Sequence, residues 1–394
     1  MKELYIGSHL STAGGWSALL KRSHEEHGTT FAFFPRSPYG RPSKALNPSG
    51  AVAFARQLTA EHYGPLVVHA PYVYNLAGKD PDKREFAIRA LAEDIRLLTP
   101  IRETGQEIYI NIHPGAHVGQ GPDRGCSLIS DGLNRVFGLE PGIMVLLETM
   151  AGKGTECGRN FEELATIIDG VDDKANVGVT VDTCHVLDAG YDLVNDFDGV
   201  MRQLDDVIGL ERVKAVHVND SQFGLSSHKD RHANIGDGHL GIPFFTRMVN
   251  DPRLSRLPMI LEVQEPVRCG VMRVGEPCVI VIALTGQVGE DAPGGVRDGL
   301  ILPELVFAGV DEPGQALREA FLQGLTGQLA GQRVEGRAEQ RHVHHRILTE
   351  QQSQHAGFID RPQPFHLPSD ITHERPRFPL VLARRASRSP DKPR

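Results

Sequence analysis

Eight short β-branched runs, separated by stretches with helical spacing, fill the first 266 residues, and this alternation constrains the fold more than anything else in the chain. The runs are Leu4–Ser8, Thr30–Phe34, Leu66–His69, Ile108–Ile112, Met144–Glu148, Val177–Asp182, Val213–Val218 and Pro258–Glu262. Between them, Trp16–His27, Asn47–Glu61, Lys83–Thr104, Asn160–Asp169, Asp196–Ile208 and Phe244–Asn250 carry apolar residues at helical spacing. β-Branched side chains suit a pleated, buried strand, and a 3.6-residue period suits a helix with one buried face. Eight strands alternating with helices over roughly 260 residues predict an α/β fold, the (β/α)8 TIM barrel. A doubly wound sheet would also alternate, but no G-x-G-x-x-G follows the first run, which excludes its dinucleotide-binding form.

The residues that end these runs point to chemistry. In order they are His9, the loop carrying Arg36, His69, His113, Glu148, Asp182, His217 and Glu262. Strand C-termini in a barrel share one rim, so these groups converge on one mouth. Taken alone, Asp182 and His185 after Val177–Val181 equally describe a helix cap followed by a surface histidine. The set decides otherwise, because clustered carboxylates require cations to offset their repulsion. Asp230 and His232, on the loop after the seventh run, add a further pair. Imidazole and carboxylate donors without thiolate suit Zn²⁺, with Mn²⁺ or Fe²⁺ as substitutes. His69, His113, Glu148, Asp182, His185, His217, Asp230, His232 and Glu262 make nine such groups, too many for one tetrahedral ion and suited to two or three sharing a carboxylate, an arrangement most often used on phosphate esters.

Composition narrows the setting. No apolar run is long enough for a membrane span, and MKELYIGSHL lacks a signal-peptide pattern, so a cytoplasmic protein is expected. The five cysteines are odd in number and lack C-x-x-C spacing, which fits a reducing compartment and argues against a thiolate zinc site. Residues 1–266 hold 26 Lys+Arg against 35 Asp+Glu, so overall charge would not draw this chain to nucleic acid; local patches and bound metal must.

The motifs GSHLSTAGG (Gly7–Gly15), HAPYVYNLA (His69–Ala77), HPGAH (His113–His117), ETMAGKG (Glu148–Gly154), VDTCHVLDAGYD (Val181–Asp192), HVNDS (His217–Ser221) and DRHANIGDG (Asp230–Gly238) carry a resemblance. From Tyr5 to about Glu262 the chain resembles the endonuclease IV family of apurinic/apyrimidinic endonucleases, DNA-repair enzymes built on a TIM barrel with three zinc ions. The resemblance implies one zinc on His69, His113 and Glu148, and a second on Glu148, Asp182, His217 and Glu262. It implies a third on His185, Asp230 and His232. The implied reaction is hydrolysis 5′ to an abasic site in double-stranded DNA, leaving a 3′-hydroxyl and a 5′-deoxyribose phosphate. Glu148 would bridge two metals beside the attacking hydroxide and Glu262 would orient it. Tyr72 and Val73 stand where the family wedges an aromatic–aliphatic pair into the minor groove, a contact that unstacks and bends DNA. Arg36, Arg41 and His9 are the other expected DNA contacts, and a monomer is expected. Departures are Tyr74 for the usual Ile or Met, Thr180 for Cys, Gln222 for Lys and Val263 for Thr; none removes a ligand. A sugar isomerase-like barrel, with two divalent ions, is the alternative from another class. A further alternative is an inactive, truncated binder of abasic sites.

Beyond Glu262 the resemblance stops. The division is a barrel over 1–265 and an unmatched tail over 266–394. The tail lacks the expected amphipathic last helix and has 16 Lys+Arg, all but one of them arginine. Val279–Leu284 has strand character and Pro313–Leu329 helical character, whereas the Arg-, His- and Pro-rich remainder, including Arg341–Arg346, cannot build a core. Two explanations compete, a genuine appended segment and a shifted reading frame near codon 263; we favour the frame shift, with an unpacked tail, a missing last helix and exposed apolar surface as the consequence.

Overall fold

The computed structural model describes residues 4–37, 40–41 and 45–262, and beyond them the backbone of three short strands. Before Glu262 the described strands are β1 (Ile6–Leu10), β2 (Ala32–Phe33), β3 (Leu66–His69), β4 (Ile108–Ile112), β5 (Val145–Glu148), β6 (Val177–Asp182), β7 (Val213–His217), β8 (Asp220–Ser221), β9 (His232–Ala233) and β10 (Met259–Leu261). All but β8 and β9 form a closed parallel barrel in the order β1-β10-β7-β6-β5-β4-β3-β2. The short β8 and β9 pair antiparallel within the long loop after β7. The barrel read from the sequence is therefore present, with strand ends within two residues of their expected positions.

The helices are α1 (Trp16–Glu26), α2 (Pro48–Ala60), α3 (Pro81–Arg102), α4 (Pro122–Leu139), α5 (Phe161–Asp169), α6 (Thr183–Ala189), α7 (Phe197–Val207) and α8 (Gly241–Asn250). Several begin on residues suited to the task. Asn47, Asp80, Asn160 and Asp196 each accept a backbone N–H of the first turn, and Pro48 and Pro81 follow two of them. α4, absent from the expected helices, carries Cys126, Ile129, Leu133, Val136 and Phe137 at helical spacing, with Gly125, Gly132 and Gly138 alongside them. Gly125 is required by packing, since a Cβ there would lie 2.5 Å from the Cys157 sulfur.

Two apolar layers hold the barrel. The larger lies between strands and helices; the smaller fills the barrel interior with Ala32, Val67, Leu146, Ala215 and Ile260. The interior set fixes the site by simple periodicity. Side chains alternate across a strand, so the residue two places after an inward-facing one also faces inward. Val67 thus places His69, Leu146 places Glu148, Ala215 places His217 and Ile260 places Glu262, all at the mouth.

Among the described residues no helix follows β10. Instead β11 (Val267–Arg273) and β12 (Cys278–Leu284) form an antiparallel pair, extended by β13 (Leu305–Val306). β11 runs beside β1 and α1, and β12 beside α8, the helices between which a barrel's last helix packs. The strand expected over Val279–Leu284 falls within β12. The expected helix Pro313–Leu329, the Arg341–Arg346 cluster and the junction at residues 263–266 lie outside the described residues.

Candidate metal centre

Five overlapping groups of donors meet at the C-terminal mouth of the barrel: His69, His113 and Glu148; Glu148, Asp182, His217 and Glu262; His185, Asp230 and His232; His69, His217 and Glu262; and Asp182, Cys184 and His232. Within each group the donor atoms lie within 4.8 Å of one another. Glu148 belongs to two groups. Its Oε2 is 3.4 Å from Nε2 of both His69 and His113, and its Oε1 is 3.2 Å from His217 Nδ1 and 3.3 Å from His185 Nδ1. Asp182 Oδ2 lies 3.9 Å from His217 Nδ1 and 3.8 Å from His232 Nε2. His185 Nε2 is 3.1 Å from Asp230 Oδ1, and His217 Nδ1 is 3.5 Å from Glu262 Oε2.

Backbone and amide groups orient these side chains. His69 Nδ1 lies 2.8 Å from the Ala70 carbonyl and His185 Nδ1 2.9 Å from that of Thr149, which turns each Nε2 toward the carboxylates, that of His69 to Glu148 and that of His185 to Asp230. Asn111 donates to Glu148 Oε2 at 2.6 Å. Asn219 donates to Asp182 Oδ2 at 2.7 Å and to Glu262 Oε2 at 3.1 Å. The buried Asp188 accepts the Asp230 backbone N–H at 2.8 Å, fixing the loop that returns to the site. That loop is strained: Ser226, His228 and Asp230 all have positive φ without being glycine. Sequence reasoning missed these supporting groups. For Asn111 and Asn219 the available signal was an amide directly beside a strand-end ligand, where an apolar residue would otherwise sit.

Asp182 satisfies both readings of its segment. It caps α6 by accepting the His185 N–H at 2.9 Å, and its other oxygen faces the cluster. His185, however, is buried rather than on the surface.

The electrostatics of the site follow from crowding. Burial alone would raise Glu148, but charged His217 and His113 hold it well below the usual carboxylate range. Burial likewise opposes ionisation of Glu262, yet His217 brings it to about 2. Burial would lower His217, but Glu262 and Glu148 lift it to about 9. Protons on the imidazoles thus supply positive charge that the carboxylates demand, and cations can take the place of those protons. His232 Nε2 is buried without a hydrogen-bond partner, 3.8 Å from Asp182 Oδ2 and 3.9 Å from Asp230 Oδ1, and so is left as a donor atom toward the carboxylates; His217 presents its Nδ1 to them, and its Nε2 is also unpartnered.

The expected DNA contacts divide. Tyr72 is 57% exposed and Val73 44%, at the lip beside His69 and His113, whose rings lie 5.4 and 5.3 Å from that of Tyr72. Arg41 is exposed. Arg36 is only 8% exposed, and its Nε and Nη2 are engaged by Asp94, Glu93 and the Ala90 carbonyl. His9 also sits inward, its ring 4.3 Å from that of Phe34, with Nε2 buried and burial driving its pKa down to about 3.

The chain is similar to known proteins over the barrel. A family model described as a xylose isomerase-like TIM barrel matches residues 25–275. A Bifidobacterium longum protein named Probable endonuclease 4 is 79% identical over 265 residues, covering 67% of this chain and 94% of its own length. A Methanosphaera stadtmanae protein of the same name is 44% identical over 262 residues, covering 66% of this chain and 94% of its own. The solved endonuclease IV of Thermus thermophilus superposes with a TM-score of 0.58 at 35% identity, over 66% of this chain and 93% of that one. Barrel, donor set and relatives agree, and the chain belongs to the endonuclease IV family.

Proposed function

We propose that this protein hydrolyses the phosphodiester 5′ to an abasic site in duplex DNA, leaving a 3′-hydroxyl and a 5′-deoxyribose phosphate. The observation that carries the reading is the double reach of Glu148, whose two oxygens face different histidine sets within one mouth. One carboxylate serving two neighbouring cation positions is the arrangement of multi-metal phosphoesterases. The names of the relatives, endonuclease 4 and endonuclease IV, support the same chemistry.

In this reading His69, His113 and Glu148 hold one zinc, and Glu148, Asp182, His217 and Glu262 a second. His185, Asp230 and His232 hold a third. The donors fit, being imidazole nitrogens and carboxylate oxygens with unpartnered nitrogens among them. When bound, such cations lower the pKa of water and offset charge on the attacking and leaving oxygens of an in-line displacement. The chain's own residues do the rest. Glu262, held by Asn219, accepts a hydrogen bond from the attacking water and aims it. Asn111 and Asn219 keep the carboxylates from rotating away from the phosphate. Tyr72 and Val73 enter the gap left by the missing base, and Arg41 meets a backbone phosphate.

The third group, His185 with Asp230 and His232, and the exposed Tyr72–Val73 pair favour this reading over a two-metal sugar isomerase. The test is incision of an end-labelled abasic duplex by zinc-loaded protein, with and without chelator. A single nick 5′ to the lesion, lost on chelation, is the expected result. Absence of nicking by the loaded protein, with aldose–ketose conversion in its place, overturns the proposal.

A further inference from the structure

Pro71 to Tyr74 form a tight turn closed by the Tyr74 N–H on the Pro71 carbonyl at 3.0 Å, with Tyr72 and Val73 at its two corners. The foot of that turn is Tyr74, which is buried and donates its hydroxyl to Asp94 Oδ2 at 2.7 Å. The other oxygen of Asp94 accepts from Arg36, in the loop after β2, and Arg36 also reaches Glu93 at 2.6 Å. Asp94 itself is 1% exposed on α3. A second contact joins the same loops: Gly40, at φ +81°, lies so close to the turn that a Cβ would sit 3.1 Å from Val73 Cγ2 and 3.2 Å from Phe86 Cζ. One carboxylate on a rigid helix therefore ties together the two loops that flank the lip.

We propose that Asp94 is a positioning residue for damage recognition, holding the Tyr72–Val73 corner at a fixed height above the metal centre through Tyr74 and Arg36. The inference rests on the abasic-site reading and deepens it. A buried ion pair contributes little to stability compared with apolar packing of the same volume, but its bonds are directional and define where the attached segments lie. Burial pushes the Asp94 carboxyl up to about 6, while Arg36 and the Tyr74 hydroxyl act in the opposite direction and favour the ionised form. Neither Tyr74 nor Asp94 is among the donor groups of the metal centre, and the exposed side chains are Tyr72 and Val73, which the pair supports from below.

Tyr74→Phe removes the bond and keeps the ring. Zinc-loaded wild type, Tyr74→Phe and Asp94→Asn are compared on an abasic duplex carrying 2-aminopurine opposite the lesion. For Tyr74→Phe, KM is expected to rise about tenfold, the cost of re-ordering the freed corner when DNA binds, while the single-turnover rate at saturating protein stays within about twofold. The fluorescence rise that reports unstacking should shrink in parallel, and Asp94→Asn should move both readouts in the same direction. A purely structural role would lower the melting temperature and leave KM and fluorescence unchanged, and that result overturns the inference. If wild type nicks normally and Tyr74→Phe matches it in both readouts, only this inference fails. If wild type neither binds nor nicks the duplex, the abasic-site reading fails and carries this one with it.

Discussion

Asn219→Ala is the substitution that most sharply separates support of the metal centre from support of the fold. Asn219 is fully buried, and its amide nitrogen bridges Asp182 Oδ2 at 2.7 Å and Glu262 Oε2 at 3.1 Å. Its oxygen accepts the Glu262 backbone N–H at 3.1 Å. Hydrogen bonds to charged groups contribute about 1.5–3 kcal/mol each, but water entering the space left by the amide restores part of that. A net loss of about 1.4–2.7 kcal/mol in metal binding is expected, which is roughly a 10- to 100-fold weaker affinity. The barrel strands β7 and β10 keep their backbone pairing, so the variant should retain a native circular-dichroism spectrum. Competition against a chromogenic chelator measures the affinity directly. A folded Asn219→Ala protein that binds zinc within about twofold of the parent would refute the role given to this amide.

Other outcomes follow from the same geometry. Asp182→Asn and His185→Ala are each expected to reduce incision to background while leaving the circular-dichroism spectrum intact; near-normal nicking by either contradicts the assignment of both to the metal centre. Zinc affinity should rise from pH 6 to pH 8, by about tenfold per pH unit for each proton displaced, because His217 is held near 9 and must lose its proton to bind. The stability of the metal-free protein runs the other way: a raised imidazole pKa contributes fully below about 6.5, the unfolded value, and its contribution fades as pH climbs through 9, which denaturant titration can follow. Leu146→Ala, inside the barrel two residues before Glu148, should cost about 2–5 kcal/mol in unfolding free energy, measured by urea titration.

The barrel was legible because its strands carry β-branched runs whose last inward position is occupied by an ionisable group, as in Leu146 and Glu148 or Ala215 and His217. Ligand residues at strand ends need no loop geometry to be located, only a period of two. Residues on loops were harder. Arg36 follows a strand like the others, yet it folds inward because α3 presents Asp94 and Glu93, a partnership 57 and 58 residues away that no local pattern reveals. His9 likewise ends a strand but faces Phe34 and His69, so its surroundings are too apolar for charge. α4 was legible and went unread: Cys126, Ile129, Leu133, Val136 and Phe137 recur at helical spacing along it. The antiparallel pair after β10 was only half visible: the run within Cys278–Leu284 has strand character, whereas Val267–Arg273 is broken by Gly270 and two arginines.

The account turns on nine side chains forming one centre for more than one cation, with Glu148 shared. The most direct measurement is metal content per chain by mass spectrometry of protein stripped and then reloaded with zinc, followed across a titration alongside incision of the abasic duplex. Incision that appears only as the content approaches about three zincs per chain is the predicted result. Full incision at one zinc per chain, or in the stripped protein, would contradict it.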